Sequence, residues 1–295
     1  MFIDAFLEYL SLEKKYSSHT VLAYKTDLIA FKDFCVVEFD QESLENVHYN
    51  QIRNWIVSLV DQGVTNRTIN RKVSSLKTFY KFLQKIEEIE VNPLAKHKAL
   101  KTQKKQEIPF SIKEMENVFV EFNEGDFVSL RDKLIVELFY STGMRRIELI
   151  NIKRSDVNLS SKTIKVLGKR NKERIVPLIP TVIETLEKYL AEKREINTNT
   201  EHLLITEKGN KIYETLVYRV INRYFSKVST KTKKSPHILR HTFATQLLNQ
   251  GADLNSVKEL LGHSSLASTQ VYTHNNLEQL KQVFNKAHPR SKKKD

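Results

Sequence analysis

A single cysteine, Cys35, denies this 295-residue chain an internal disulfide framework and fits a reducing compartment. No apolar run approaches the roughly 20 residues a spanning helix needs, so neither a membrane span nor a membrane partner is expected. The start, M-F-I-D-A-F-L-E-Y-L, lacks the basic residues and small-residue cleavage site of a secretory signal. A cytoplasmic protein is expected. The pattern G-x-x-x-x-G-K-[ST], whose backbone amides cradle nucleotide phosphates, is also missing.

Acid is the next scarcity, and it is local. The chain carries a net charge of +13, and residues 1–61 hold five Lys/Arg against ten Asp/Glu. From Gln62 to Ile86 there are six basic residues and no acid; from Thr215 to Ala252 there are seven and again no acid. Two single-sign tracts, one in each half of the chain, suit a surface that meets phosphates. Nucleic acid is the expected partner.

Taken in order, the first ~95 residues read as helices. Ser17 or Ser18 can cap a helix carrying Val21, Leu22, Leu28 and Phe31, and Asn50 opens another that Gly63 can close. Thr65 or Asn66 begins a fourth, with Ile69, Val73, Leu76 and Tyr80 inward. Its other side offers Arg67, Arg71, Lys72, Lys77 and Lys81 as DNA contacts. Cys35 and Trp55 read as core. Asn92-Pro93 ends the helical run, and Lys96 onward is basic and without an apolar period. The expected organisation is a helical DNA-binding domain over 1–95, a basic linker over 96–108 and a second domain over 109–295.

Ser111-x-x-Glu114 has the form of a capping box opening that second domain. Leu130, Leu134, Ile135 and Leu138 give a helix face ended by Gly143, and a new helix runs from Met144 to Ile150. Thr163–Val166 and Arg174–Pro177 read as two strands around a long basic hairpin tip bearing Lys169 and Lys172. Helices return at Val182–Glu195 and Glu214–Val228, the latter carrying Arg223 as a further DNA contact. No internal repeat is evident. The fold class expected is mostly α (α+β), with one small antiparallel sheet.

The densest chemistry lies in Pro236–His274. Pro236 sits where a helix begins and Gly251 where it would end, with His237, Arg240 and His241 at i, i+3 and i+4 on one face. Asp253 can cap the next helix, which Gly262 closes just before His263, and Tyr272 follows nine residues on. Arg145, just after Gly143, and Lys169 belong with them. Three histidines raise the question of zinc, but Ile238 stands where a zincin motif has glutamate, and Arg240 would repel a cation. No metal and no cofactor are expected.

T-G-M-R-R-I-E-L, V-L-G-K-R-N-K-E-R-I-V-P-L, H-I-L-R-H-T-F-A-T and L-L-G-H-S-S-L-A-S-T-Q-V-Y-T-H together resemble the tyrosine recombinase (phage integrase) family, nearest to its Xer branch. The likeness is detailed over roughly Leu134 to Arg290 and looser before it. It departs at Met144 and at Arg146-Ile147, neighbours of Arg145, which touches packing or local specificity. The resemblance implies the tyrosine recombinase fold and a catalytic set of Arg145, Lys169, His237, Arg240, His263 and the nucleophile Tyr272. Glu148 and His241 are read as supporting residues.

A tyrosine phenol has an ordinary pKa near 10, so ionising it at pH 7 costs about 4 kcal/mol unless neighbouring cations assist. Arginine's planar fork matches two phosphate oxygens, which suits Arg145 and Arg240 to the non-bridging pair. The resemblance assigns Lys169 to protonate the departing 5′ oxygen, His237 to proton transfer and His263 to a hydrogen bond on the phosphate. It implies a 3′-phosphotyrosyl intermediate formed and resolved without metal or ATP. It also implies a homo- or hetero-tetramer on two DNA sites, with the C-terminal helix around Leu277, Leu280, Val283 and Phe284 docking on a neighbouring protomer. Chromosome dimer resolution, mobile-element integration and type IB topoisomerase-like relaxation all stay open at this point. So does a non-catalytic DNA-binding accessory role.

Overall fold

The computed structural model describes residues 2–103, 107–123, 125–168, 172–262, 284 and 286–291. By contact density it forms two compact units, Met1–Lys105 and Gln106–Asp295. The dividing point falls inside the stretch read as a linker.

The first unit is four helices: α1 (Phe2–Glu8, continued by a π-helical turn), α2 (Ser18–Phe39), α3 (Tyr49–Asp61) and α4 (Asn66–Lys85). Their starts follow from local hydrogen bonding. Ser17 Oγ accepts from the Thr20 amide and Thr65 Oγ1 from the Thr68 amide, each satisfying an otherwise orphaned helix donor. Gly63, at φ +76°, turns the chain out of α3. Phe6, Leu28, Phe31, Ile69, Leu76 and Leu83 are buried, and Cys35 and Trp55 join the same core.

One polar group is buried with them. Asp27 on α2 accepts from Arg71 Nη1 at 2.5 Å and Nη2 at 2.9 Å, from Ser75 Oγ at 2.8 Å and from Lys72 Nζ at 3.3 Å. A buried carboxylate needs such a ring of donors, and α4 supplies it. The chain beyond Pro93 is also held. Asn70 exchanges two hydrogen bonds with the backbone of Leu100, both at 2.9 Å, and Asn66 donates to the Lys101 carbonyl at 2.8 Å.

In the second unit the Ser111–Glu114 capping box starts α5 (Ile112–Val120). Then come α6 (Phe127–Thr142), α7 (Arg146–Asn151), and the strands β1 (Val157–Asn158), β2 (Thr163–Leu167) and β3 (Glu173–Pro177). The helices α8 (Pro180–Arg194), α9 (Glu214–Val228), α10 (Pro236–Asn249) and α11 (Leu254–Leu261) follow. The sheet is antiparallel with strand order β1-β2-β3, and Val166 stands opposite Arg174 and Ile164 opposite Val176. The protein is thus mostly helical with one small antiparallel sheet. Helix α6 is the hub, buried from Ser129 to Thr142 except at Lys133 and packed against α8 and α10.

The described part of the C-terminal segment lies on its own unit. Phe284 is fully buried, with rings of Phe243 and His288 beside it, and Arg290 sits 3.8 Å from the centre of the Phe119 ring and 3.3 Å from Glu137. Burying an aromatic and giving the buried Glu137 a cation explain why the segment settles here. The remainder of the tyrosine-bearing stretch, 263–283, lies outside the described residues.

His288 supplies a pH test. Its Nδ1 accepts from the Arg290 amide at 3.2 Å, so Nε2 carries the proton and donates to the Tyr140 carbonyl at 3.2 Å. Burial, and then the Arg290 charge, depress its pKa to about 4 against the lift from the Tyr140 carbonyl. The folded state therefore favours the neutral ring. Its contribution is complete above the ordinary value near 6.5 and is lost as pH falls through the window down to about 4. Between pH 7.5 and 5 this amounts to about 2 kcal/mol. Chemical denaturation at the two pH values should show that loss, and His288→Gln should remove most of the difference. An unchanged difference in the variant would assign the acid sensitivity elsewhere.

Candidate active site

The site starts at the end of α6. Gly143 closes that helix at φ +59°, and a side chain there would meet Phe243 at 2.4 Å and Leu261 at 2.8 Å. Glycine is therefore required both by the backbone and by the close approach of α10 and α11. The chain then reverses so that Arg145 becomes the N-terminal flank of α7.

Glu148, one turn into α7, is buried and accepts four hydrogen bonds. Its Oε2 takes the Arg145 amide at 2.7 Å and Arg174 Nη2 at 2.8 Å; its Oε1 takes Arg145 Nη1 at 2.8 Å and Arg174 Nη1 at 3.2 Å. Burial alone would raise its pKa, but the hydrogen bonds and charge of Arg174, then those of Arg145, hold it down at about 2. It is a carboxylate at neutral pH. The Arg145 side chain keeps 29% of its surface exposed, which leaves part of its fork available to a ligand.

Arg240 comes from α10 and points inward. Nη1 donates to the Gly143 carbonyl at 2.5 Å and Nη2 to the Leu261 carbonyl at 2.8 Å, so it ties the ends of α6 and α11 together. Burial and the charges of Arg145 and Arg174 lower its pKa to about 10 while Glu148 opposes them, and it stays protonated at neutral pH. His237 and His241, expected on the same face, instead lie outward on the exposed side of α10. His237 Nε2 is 3.3 Å from Glu107, which also accepts from Lys233 Nζ at 2.9 Å. An exposed imidazole next to the Glu107 carboxylate and a buried arginine three residues on are compatible because the arginine stem is long enough to turn under the helix.

Lys169, His263 and Tyr272 lie outside the described residues. Their flanks are placed. Gly168 accommodates Glu148, whose Oε1 would be 3.5 Å from a Cβ there, and the Gly168 amide closes on the Lys172 carbonyl at 2.8 Å. Gly262, immediately before His263, lies against the Arg174 side chain. The base of the hairpin and the end of α11 therefore meet at the Arg145–Glu148–Arg174 cluster.

Of the expected DNA contacts, Arg67 and Lys81 are exposed on α4 and Lys77 is half-buried. Arg71 and Lys72 are engaged with Asp27, a role that charge spacing along α4 did not signal. Lys172 and Arg223 are exposed. Arg223 lies on an open groove of about 1040 Å³ together with Arg219, Tyr218 and Lys211.

Arg174 is the group that motif spacing missed, being read only as the start of the strand Arg174–Pro177. A signal was present. With Ile164 and Val166 inward on β2, strand alternation turns Val176 and Arg174 inward on β3. An arginine on that side requires a buried acid.

Paired guanidiniums fixed beside a carboxylate, at the meeting of several elements, form an arrangement that can bind an oxyanion. Residues 110–279 match the model of the phage integrase family, and residues 3–86 match the phage integrase N-terminal SAM-like domain. The chain belongs to the phage integrase family and is a tyrosine recombinase, of the enzyme class that cleaves and rejoins DNA. It is 39% identical over 293 residues to "Tyrosine recombinase XerC" of Staphylococcus aureus (strain USA300 / TCH1516), covering 99% of this chain and 98% of that protein. The XerH site-specific recombinase, solved bound to a palindromic difH substrate, superposes with a TM-score of 0.73 at 23% identity, covering 95% of this chain and 82% of that one. A lambda integrase fragment, solved as a dimer on a COC′ core site, gives 0.69 at 18% identity, covering 92% and 98%.

Proposed function

We propose that the chain is a Xer-type site-specific recombinase that works through Tyr272. The observation that carries this is the fixed arginine pair: Arg240 held by the Gly143 and Leu261 carbonyls, Arg145 by Glu148. Tyr272 Oη attacks the scissile phosphorus, giving its proton to an imidazole or to solvent. A bond forms between Oη and phosphorus as the bond to the 5′ oxygen breaks, and Lys169 protonates that oxygen. His237 assists proton transfer and His263 donates to the phosphate. Attack adds negative charge to the non-bridging oxygens, and Arg145 and Arg240 bind those oxygens more strongly as it builds. The 3′-phosphotyrosyl ester keeps the energy of the broken bond. A partner strand's 5′-hydroxyl then attacks the same phosphorus and releases the phenol, so neither ATP nor a metal enters the balance.

On this proposal the first unit grips the duplex through Arg67, Arg71, Lys72, Lys77 and Lys81, with Lys172 and Arg223 added from the second unit. Four protomers, alike or with a related recombinase, assemble on two DNA sites. The likeness to XerC over nearly the whole chain favours chromosome dimer resolution, hence a role in chromosome partition at cell division, in the cytoplasm. No described helix is long and apolar enough to cross a membrane.

The test uses a nicked suicide duplex containing the cognate site. The protein should form a detergent-resistant DNA adduct, and peptide mapping should find the nucleotide on Tyr272. Adduct on another residue, or release of hydrolysed strand with no adduct, would overturn the mechanism. Sequencing the trapped DNA then identifies the site, and a mobile-element junction in place of a chromosomal locus would overturn the dimer-resolution role.

A further inference from the structure

We propose that Arg174 is a positioning residue for the phosphate clamp, acting through Glu148 on Arg145; this rests on the recombinase function proposed above. Glu148 is buried in direct contact with Arg145. Were Arg145 its only cation, the pair would neutralise itself, and a phosphate would have to compete with Glu148 for the same guanidinium. Arg174 changes that balance. It is buried, comes from β3, and meets both oxygens of Glu148 through Nη1 and Nη2. Three guanidiniums, Arg145, Arg174 and Arg240, against one carboxylate leave two net positive charges among these four groups. Two is the charge on a phosphodiester undergoing attack by an anionic nucleophile, one from the diester and one from the incoming oxygen. Arg174 thus supplies the compensation for Glu148 and leaves the charge of Arg145 to the substrate.

The same side chain fixes geometry. Its Nε donates to the Leu260 carbonyl at 2.9 Å, and Arg240 takes the next carbonyl, Leu261, at 2.8 Å. Two successive orphan carbonyls at the end of α11 are therefore held by two arginines from different elements. The bond to Leu260 thus anchors the Arg174 fork that in turn holds Glu148 and, through it, Arg145. Lysine cannot repeat this, because it offers a point charge where Arg174 uses three donors in a plane.

Arg174→Lys keeps a cation opposite Glu148 and so tests position apart from charge. Single-turnover covalent capture at saturating DNA should fall about thirtyfold, within the range for a misplaced clamp, while DNA affinity changes less than about twofold. The deciding measurement is a double-mutant cycle with Arg145→Lys. If Arg174 acts through Arg145, the double variant should be within about twofold of Arg145→Lys alone, because the two form one unit. Losses that multiply would mean an independent packing role and overturn the inference, as would a full rate in Arg174→Lys. Should Arg174→Lys fail to fold, the paired variant Glu148→Gln/Arg174→Gln removes both buried charges together, and the same cycle applies. Absence of capture by the unaltered protein would sink the recombinase proposal instead; normal capture with a full-rate Arg174→Lys sinks this inference alone.

Discussion

Tyr272→Phe should abolish covalent capture while leaving DNA binding within about twofold of the unaltered protein. The substitution removes one oxygen and keeps the ring, so any packing by the ring is retained. No other side chain in the proposed chemistry can form a stable phosphate ester in its place, because Lys169, His237 and His263 serve the proton and the oxygens. The expected loss is therefore complete, unlike the graded losses that follow removal of a charge-stabilising group. Electrophoresis in detergent after incubation with the nicked duplex reads the adduct, and a native binding assay reads the complex. An adduct of undiminished yield in the phenylalanine variant would place the nucleophile elsewhere. Loss of both adduct and binding would assign Tyr272 to folding or DNA contact.

Arg240→Ala should cost the second largest amount, with two components that separate experimentally. Loss of one preorganised donor group facing developing charge typically costs about 10²–10³ in rate, and capture at saturating DNA should fall by at least that much. Stability should fall as well. The Gly143 and Leu261 carbonyls, at the ends of α6 and α11, would lose the buried donor that satisfies them. Arg240→Lys should recover part of the melting temperature, since an ammonium reaches one carbonyl, and little of the rate, since it has no planar fork. Equal recovery of both would mean that Arg240 only holds helix ends. Neither variant touches Asp27 or its partners, so thermal unfolding of the first unit should be unchanged.

Much of this site was legible in the sequence because its local signals are short-range. Ser111, Asp253, Gly143 and Gly262 mark helix ends by hydrogen bonds or backbone conformations that involve a few residues, and each performs that role in the fold. Arg145, next to one of those ends, and Glu148, three residues on, are joined by the capping geometry itself. Long-range pairings were less legible. Asp27 and Arg71 are 44 positions apart, and Glu148 and Arg174 are 26 apart. Position along α4 marks Arg71 as basic and outward but cannot reveal that a buried acid on α2 awaits it. The direction of Arg240 has the same origin. Helical spacing places it with His237 and His241, whereas its partners are carbonyls on α6 and α11. Strand β1, two residues long, carries no periodicity of its own and exists through its pairing with β2.

The Asp27 cluster also bears on how the protein responds to ionic strength. Six basic residues lie between Gln62 and Ile86, and a bare count would credit each with displacing a condensed counterion from DNA. Two of them, Arg71 and Lys72, already share the charge of Asp27, and Lys85 lies 3.3 Å from Glu13. Each phosphate neutralised adds roughly 0.9 to the logarithmic salt slope, so that slope should fall short of the count by about 2. What Asp27 subtracts in electrostatic reach it returns as a helix whose register against α2 is fixed by the hydrogen bonds from Arg71, Lys72 and Ser75.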